Sequence, residues 1–380
     1  MSNIELIATS TFGLEAVVKR ELLNLGYENL KVENGKVTYT CNEEGIANSN
    51  LWLRTADRVL LKIGEFRAES FEELFQGTKS LPWEEWITED GEFTVNGKSV
   101  KSKLFSISDC QAIVKKAIVE RLKIKYNTDW FKETGAKFTV QVSLLNDIAT
   151  LTIDTSGVGL HKRGYRQDAV EAPIKETLAA AMIQLSYWDK NRVLLDPFCG
   201  SGTIPIEAAL IGKNIAPGLN RKFVSENWPR VGEEIYKKAR VEAYRAIDND
   251  VELKIYASDI DKDAINLAKE NSIEAGVDDC INFKAISLRP INIKEKYGII
   301  ICNPPYGQRL GEKQEIRKLY RKMGNIFGDL KTWSKYVITS EKAFESEYGA
   351  KADRKRKLFN GRIEVNYYQY FGPRPDRREK

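Results

Sequence analysis

Any chemistry in this chain must be done with few reactive side chains. Its 380 residues include one histidine, His161, and five cysteines, Cys41, Cys110, Cys199, Cys280 and Cys302. No two of these form a C-x-x-C pair, which argues against a zinc site and a disulfide framework. A lone imidazole leaves Ser-His-Asp chemistry without support. Two other stretches have residue types suited to a reaction. The first, Asn303-Pro304-Pro305-Tyr306, closes the apolar run Gly298 to Cys302. Prolines lack an amide donor and fix their own φ, so the turn is stiff. It would hold the Asn303 amide, two proline carbonyls and the Tyr306 ring in fixed mutual positions. Such a set suits gripping a planar base by its exocyclic amino group. A bare N-P-P-Y is equally an ordinary strand-ending turn, and what lies upstream must decide.

The second stretch runs from Val193 to Thr203 and contains Asp196-Pro197-Phe198-Cys199-Gly200-Ser201-Gly202-Thr203. It reads as a buried strand ending in an acid, a tight glycine loop, and a helix from about Ile204 to Leu210. Glycines there let the backbone approach a ligand at a helix N-terminus. The spacing is neither G-x-x-x-x-G-K-S/T nor G-x-G-x-x-G, so phosphate-cradling and dinucleotide loops fit poorly. A further strand, Lys254 to Asp259, also ends in an acid. An acid at the end of a second strand is where α/β folds hold ribose hydroxyls. Asp259 suits that role, whereas Asp261 reads as the cap of a helix starting at Lys262.

These stretches need a scaffold, and the pattern supplies one. From Ala172 onward strands alternate with helices, with strands near Val193, Ile255, Ile281, Ile299 and Tyr336. That alternation predicts a parallel, doubly wound α/β sheet. Residues 1–65 read β-α-β-β-α-β, a ferredoxin-like order with an Asn34-Gly35 hairpin. Residues 66–155 repeat mixed α/β logic, including a helix capped by Ser108-Asp109 and two strands about an Asn146-Asp147 turn. Residues 156–170 form a Gly-rich basic connector, leaving 171–380 as the doubly wound domain. Net charge is +5, yet 351–380 alone holds ten Lys/Arg against four Asp/Glu. This reads as a basic tail suited to a polyanion. No apolar run nears the roughly 20 residues of a bilayer span, and the N-terminus lacks signal-peptide character, so a cytoplasmic location is expected.

The string D-P-F-C-G-S-G-T resembles motif I of class I S-adenosylmethionine-dependent methyltransferases. The resemblance implies that Gly200 and Gly202 make room for the methionine moiety, with Asp196 beside it and Ser201 and Thr203 hydrogen-bonding within the loop. It also places Phe198, Asp259, Ile260, Ser287 and Asn303 in the cofactor site. Ser287 stands where many relatives carry an Asp that accepts from the adenine amino group. N-P-P-Y then takes the place of motif IV of amino-methyltransferases, with Asn303, Pro304, Pro305 and Tyr306 as the catalytic set. The continuation Gly307-Gln308-Arg309-Leu310-Gly311 is closer to guanine-N2 RNA enzymes than to adenine-N6 DNA enzymes.

Other stretches fit the same family: the connector Gly159 to Arg166, Asn214 to Arg221, Asn360-Gly361-Arg362, and Tyr367 to Pro373. Together they resemble the bacterial THUMP-containing 23S rRNA guanine-N2 methyltransferases (RlmL/YpsC-like), over essentially the whole chain. The resemblance implies a Rossmann-like class I methyltransferase domain at 171–380 behind ferredoxin-like (1–65) and THUMP (66–155) α+β domains. It implies S-adenosylmethionine as cofactor, no metal, and 23S rRNA or a ribosomal precursor as partner. Other outcomes are guanine-N2 methylation of tRNA and a non-catalytic RNA-binding assembly factor. His161, Lys162, Arg163 and Arg166 either contact RNA phosphate or fix the connector. Arg354, Lys355, Arg356 and Lys357 are expected to contact phosphate.

Overall fold

The computed structural model describes residues 3–166, 174–290, 293–306 and 313–374. The first elements are β1 Ile4–Ser10, α1 Glu15–Asn24, β2 Lys31–Glu33, β3 Lys36–Cys41, α2 Glu43–Trp52 and β4 Ala56–Arg67. Next come α3 Phe71–Lys79, β5 Glu92–Val100, α4 Ile107–Tyr126, β6 Lys137–Leu145 and β7 Ile148–Asp154. Then follow α5 Glu176–Gln184, β8 Leu194–Asp196, α6 Thr203–Gly212, α7 Gly232–Arg245, β9 Ile255–Asp259, α8 Lys262–Glu274 and β10 Ile281–Ala285. The last are β11 Ile299–Cys302, α9 Lys313–Gly328, β12 Ser334–Thr339, α10 Phe344–Tyr348, β13 Arg354–Asn360 and β14 Ile363–Tyr370. No helix of the described residues is long and apolar enough to cross a membrane.

Contacts divide the described residues into two compact units. The first holds the chain up to Ser10, then Val18–Leu160 and Arg221–Glu242. Its seven strands form one sheet in the order β2-β3-β1-β4-β7-β6-β5, and β1-α1-β2-β3-α2-β4 is the expected ferredoxin-like order. The hairpins form where the turn chemistry says they should. Asn146 and Asp147 take φ 51° and 62°, both positive as a two-residue turn between twisted strands favours, whereas at Asn34-Gly35 only Gly35 does, at φ 74°. One expected start moves: α4 begins at Ile107 with Ser106 at the N-cap, and no side chain caps it. The inserted segment 221–242 joins this unit's core. There Trp228 stacks on Phe138 at 5.0 Å and donates its indole N–H to the Lys137 carbonyl at 3.0 Å.

The second unit holds Thr11–Val17, the described part of His161–Asn220, and the chain from Ala243. Its sheet runs β10-β9-β8-β11-β12-β14-β13. From β10 to β12 the strands are parallel, and β14 and β13 complete the sheet antiparallel to their neighbours. Apolar side chains cover both faces: Leu194, Ile299, Ile301 and Tyr336 join one core, while Leu195, Ile300, Cys302 and Val337 join another. Burial on both sides is why Ile299–Cys302 is a continuous apolar run rather than an alternating one. The expected basic tail is corrected here. Its Arg354–Asn360 portion is the edge strand β13, paired along its whole length with β14.

Candidate active site

The motifs meet because of strand order. β8 lies between β9 and β11, with Leu195 level with Ile300 on one side and Asp196 level with Ala257 on the other. Continuing those registers puts Asn303 and Asp259 each two residues past the level of Asp196. All three therefore emerge at the same sheet edge, on strands ~4.8 Å apart. This is the point where the strand order reverses, where open α/β sheets hold ligands.

Between β8 and α6, three hydrogen bonds shape the loop. Cys199 N–H donates to the Ser258 carbonyl (3.0 Å), Gly200 N–H to Asp259 Oδ2 (2.9 Å), and the Asn271 amide to the Ser201 carbonyl (2.9 Å). Gly200 and Gly202 both have positive φ, 51° and 85°. Their roles differ from the expected shared one. A Cβ on Gly200 would meet nothing within 4 Å, so this glycine faces open space; one on Gly202 would lie 3.0 Å from Ala268 Cβ. Gly202 is thus small so that the loop can pack on α8. Ser201 and Thr203 are buried, and Phe198 is half-buried against the second unit's core.

Asp196 is fully buried. Its Oδ1 accepts from the Phe198 amide at 3.1 Å, while Oδ2 has no partner among the described residues. Burial pushes this carboxyl well above the usual carboxylate range, and nearby Asp259 adds to the rise. A buried acceptor with a spare oxygen beside an open glycine suits a ligand's ammonium group. Asp259 accepts from Gly200 through Oδ2 and from the Asp261 amide through Oδ1, at 3.0 Å. Two backbone donors thus fix the carboxylate while leaving lone pairs for hydroxyl groups. Asp261 caps α8, accepting from the Asp263 and Ala264 amides. Ile260, next to Asp259, is 77% exposed, and Ser287 is exposed past the end of β10. Ammonium, ribose diol and purine are the groups S-adenosylmethionine presents, and the donor set fits them.

In the N-P-P-Y turn Pro304 is buried, Pro305 is exposed, and Asn303 and Tyr306 are half-buried. The Tyr306 hydroxyl donates to Asn303 Oδ1. The ring expected to stack and the oxygen expected to accept are thus engaged with each other. Residues 307–311, which extend the motif, lie outside the described residues. Sequence reasoning missed Tyr320 on α9. Fully buried, it donates to the Pro305 carbonyl at 3.0 Å and lies 3.0 Å from Thr339 Oγ1, which accepts from the Glu341 amide at 3.1 Å. A fixed donor at one end and a fixed acceptor at the other force both hydroxyls to point the same way. The chain runs from Glu341 N–H through Thr339 and Tyr320 to Pro305. Burial pushes the Tyr320 phenol up to about 12, so it keeps its proton. Tyr320→Phe should keep the ring edge-on to Phe344. It should lower kcat about 10-fold, the worth of one hydrogen bond, with the cofactor Kd and RNA KM unchanged, and Thr339→Ser should behave as wild type.

Of the basic residues in the connector, two are corrected. Arg163 is buried and pairs with fully buried Glu207 of α6 at 3.3 Å, where Tyr165 also donates at 3.1 Å. Arg166 pairs with Glu176 at 3.4 Å and bonds to Thr203 Oγ1. Neither faces solvent as a phosphate contact must; they anchor the connector to the motif I helix. Removing one partner would leave a buried charge, which costs about 3–5 kcal/mol. Lys162 is exposed and His161 half-buried. On β13, Arg354, Lys355 and Lys357 are exposed and Arg356 is half-buried.

Family comparison agrees with this geometry. The RMKL-like methyltransferase domain matches residues 163–369, the RlmL ferredoxin-like domain 5–60, and the THUMP domain 68–154. The chain is 53% identical to "Putative RNA methyltransferase YpsC" of Bacillus subtilis, across 100% of this chain and 99% of that one. It is 36% identical, over 94% of its length, to the ribosomal RNA large subunit methyltransferase K/L of Psychromonas ingrahamii, but spans only 49% of that protein. The structure of SMU.472 complexed with SAH superposes with a TM-score of 0.93 at 45% identity, covering 99% of this chain and 100% of that one. The chain therefore belongs to the RlmL-like family, S-adenosylmethionine-dependent methyltransferases with ferredoxin-like and THUMP domains ahead of a Rossmann-like catalytic domain.

Proposed function

We propose that the protein methylates the exocyclic N2 amine of a guanine in 23S rRNA. The observation that carries this is the emergence of the Asn303 turn beside the Asp196 loop, on adjacent parallel strands. The relative named for the large ribosomal RNA, K/L, and the THUMP match support the substrate class. The N-P-P-Y-G-Q-R-L-G continuation favours guanine N2 over adenine N6.

An aryl amine is a weak nucleophile because its lone pair is delocalised into the ring. Accepting its two hydrogens, by Asn303 Oδ1 and the Pro304 carbonyl, favours a pyramidal nitrogen with its lone pair out of the base plane. S-adenosylmethionine, when bound, supplies an already activated methyl group, so the protein's work is to position, desolvate and exclude water. The base must be unstacked to reach the turn. Its arrival displaces the Tyr306 hydroxyl from Asn303, and the freed ring then covers the base. No imidazole is required.

Purified protein, labelled cofactor and total RNA from cells lacking the gene provide the test. Label should enter 23S rRNA and map to one guanine as N2-methylguanine. Label in tRNA or duplex DNA alone would transfer the chemistry to another substrate. Absence of both transfer and cofactor binding would leave a non-catalytic RNA-binding role.

A further inference from the structure

The sheet edge that carries Asn303 also carries a second surface. β14 is antiparallel to β12 and β13 antiparallel to β14, so β13 runs in the same direction as β11 and β12. The end of β13, Asn360, and the turn Gly361-Arg362 therefore emerge at the same edge as the N-P-P-Y turn. Gly361 has φ 63° and Arg362 does not have positive φ, the pattern of a tight two-residue hairpin turn with Arg362 exposed at its tip. The registers put Arg356 level with Asn303, so three strand spacings sideways and four residues along β13 place Asn360 roughly 20 Å from Asn303.

Its composition is one-sided. Arg354, Lys355, Arg356, Lys357 and Arg362 face a single acid, Glu364, between 354 and 364. Beside it, within the same unit, stands an aromatic that no step of the chemistry uses. Phe12 is 52% exposed and sits edge-on to Phe359 at 6.3 Å between centroids. The Lys357 ammonium lies 5.6 Å from the Phe359 ring. Phe12 is not a dangling side chain. The next residue, Gly13, takes φ 92°, and a Cβ there would come within 3.0 Å of the Lys357 carbonyl. The loop therefore lies flush on the β13 backbone and presents the ring at a fixed place.

We propose that Phe12 and the β13–β14 hairpin hold an unpaired RNA strand, with Phe12 stacking on a base a few nucleotides from the methylated guanine. This rests on reading the N-P-P-Y turn as the base clamp. A fixed aromatic beside a basic track is how single strands are held: the ring takes any base face and the cations follow the backbone. An unstacked target guanine needs unpaired neighbours, and this surface lies where they must run. Lys357 is paired with Glu364 at 2.6 Å and Lys355 with Glu345 at 3.8 Å. Such exposed pairs are weak, so a phosphate displaces them readily.

Photocrosslinking the full-length protein to a single-stranded RNA dodecamer bearing 5-iodouridine tests the surface without requiring methyl transfer. Crosslinked nucleotide is expected on the peptide containing Phe12 or the one containing Phe359. In parallel, Phe12→Ala should weaken binding of that dodecamer about 10-fold, and Phe12→Trp should restore it. The salt slope should stay unchanged in both. The triple change Lys355→Ala, Lys357→Ala, Arg362→Ala should instead flatten the slope by about 2. Crosslinks confined to other peptides, or equal loss of single-stranded and duplex RNA in Phe12→Ala, would overturn the proposal. So would displacement of the RNA by a polyglutamate peptide that itself needs Phe12, which would assign the surface to an acidic protein. If crosslinks form as expected but the wild type methylates no RNA, the clamp reading fails and the strand-holding surface stands.

Discussion

Asn303→Ala protein should bind S-adenosylmethionine with wild-type affinity and lose methyl transfer by about 100- to 1,000-fold. The magnitude follows from what the amide does. It is one of two preorganised acceptors aimed at the amine, and removing a single such group from an enclosed site typically costs this much. The stability effect should be small, because Asn303 is half-buried and its side chain bonds to Tyr306 three residues away. Calorimetry with the cofactor and single-turnover transfer to 23S rRNA separate the two readouts. Near-normal turnover in this variant would show that the amine is positioned by other groups and would remove the mechanism proposed above. Tyr306→Phe offers a complementary result. It removes the hydroxyl that occupies Asn303 while keeping the ring, so RNA should bind somewhat more tightly and turnover should persist.

Asp196→Asn should make the empty protein more stable and the loaded protein weaker. The carboxyl is fully buried, its Oδ2 lacks a partner among the described residues, and burial raises its pKa, with Asp259 contributing further. A carboxyl whose folded pKa exceeds its unfolded value stabilises the fold fully only below the unfolded pKa, about 4. That stabilisation declines as pH rises from there towards the folded pKa, so at pH 8 holding this carboxyl in the fold is a burden, whether as a buried charge or as a retained proton. An amide of the same shape keeps the bond from Phe198 and removes the burden. Without ligand, Tm should rise by a few degrees at pH 8, with little change near pH 4. With ligand, the ammonium loses a charge-assisted acceptor and affinity should fall about 10- to 100-fold. Saturating cofactor should therefore raise the wild-type Tm more than the variant's. Thermal scans at both pH values, with and without cofactor, check the whole pattern. A lower Tm for the ligand-free variant at pH 8 would mean that the buried carboxyl is not a burden.

The parallel strands and the two loops were legible because their chemistry is written in short stretches. A strand buried on both faces must be an apolar run, a stiff turn needs its prolines, and a ligand-facing loop needs Gly200. Long-range pairing was not legible. Arg163 and Arg166 looked like phosphate contacts because sequence shows charge but not burial, and Glu207 lies 44 residues beyond Arg163. A clue was present nonetheless: Glu207 is the lone charge in the apolar helix Thr203–Gly212, and a buried acid calls for a cation. β13 was hidden because an edge strand with a solvated face reads as a charge run. Tyr320 was hidden by good camouflage: with Ile316, Met323 and Phe327 at helical spacing, it looks like core, and only its hydroxyl partners reveal more.

The segment 221–242 has a consequence for how the molecule is made. Trp228 bonds to a carbonyl 91 positions earlier in the chain, and the Asn50 amide donates to the Tyr236 hydroxyl across 186 positions. During synthesis the first unit therefore cannot finish folding when its last strand, β7, leaves the ribosome. It must wait with part of its core unfilled while β8, the glycine loop and α6, which belong to the other unit, emerge. Contacts this distant in sequence slow folding and prolong the exposure of apolar surface. A nascent chain stalled just after β7 should remain protease-sensitive, and one stalled well past Glu242 should show a protected first unit. The insertion thus ties completion of the first unit to synthesis of the loop that holds the methyl donor.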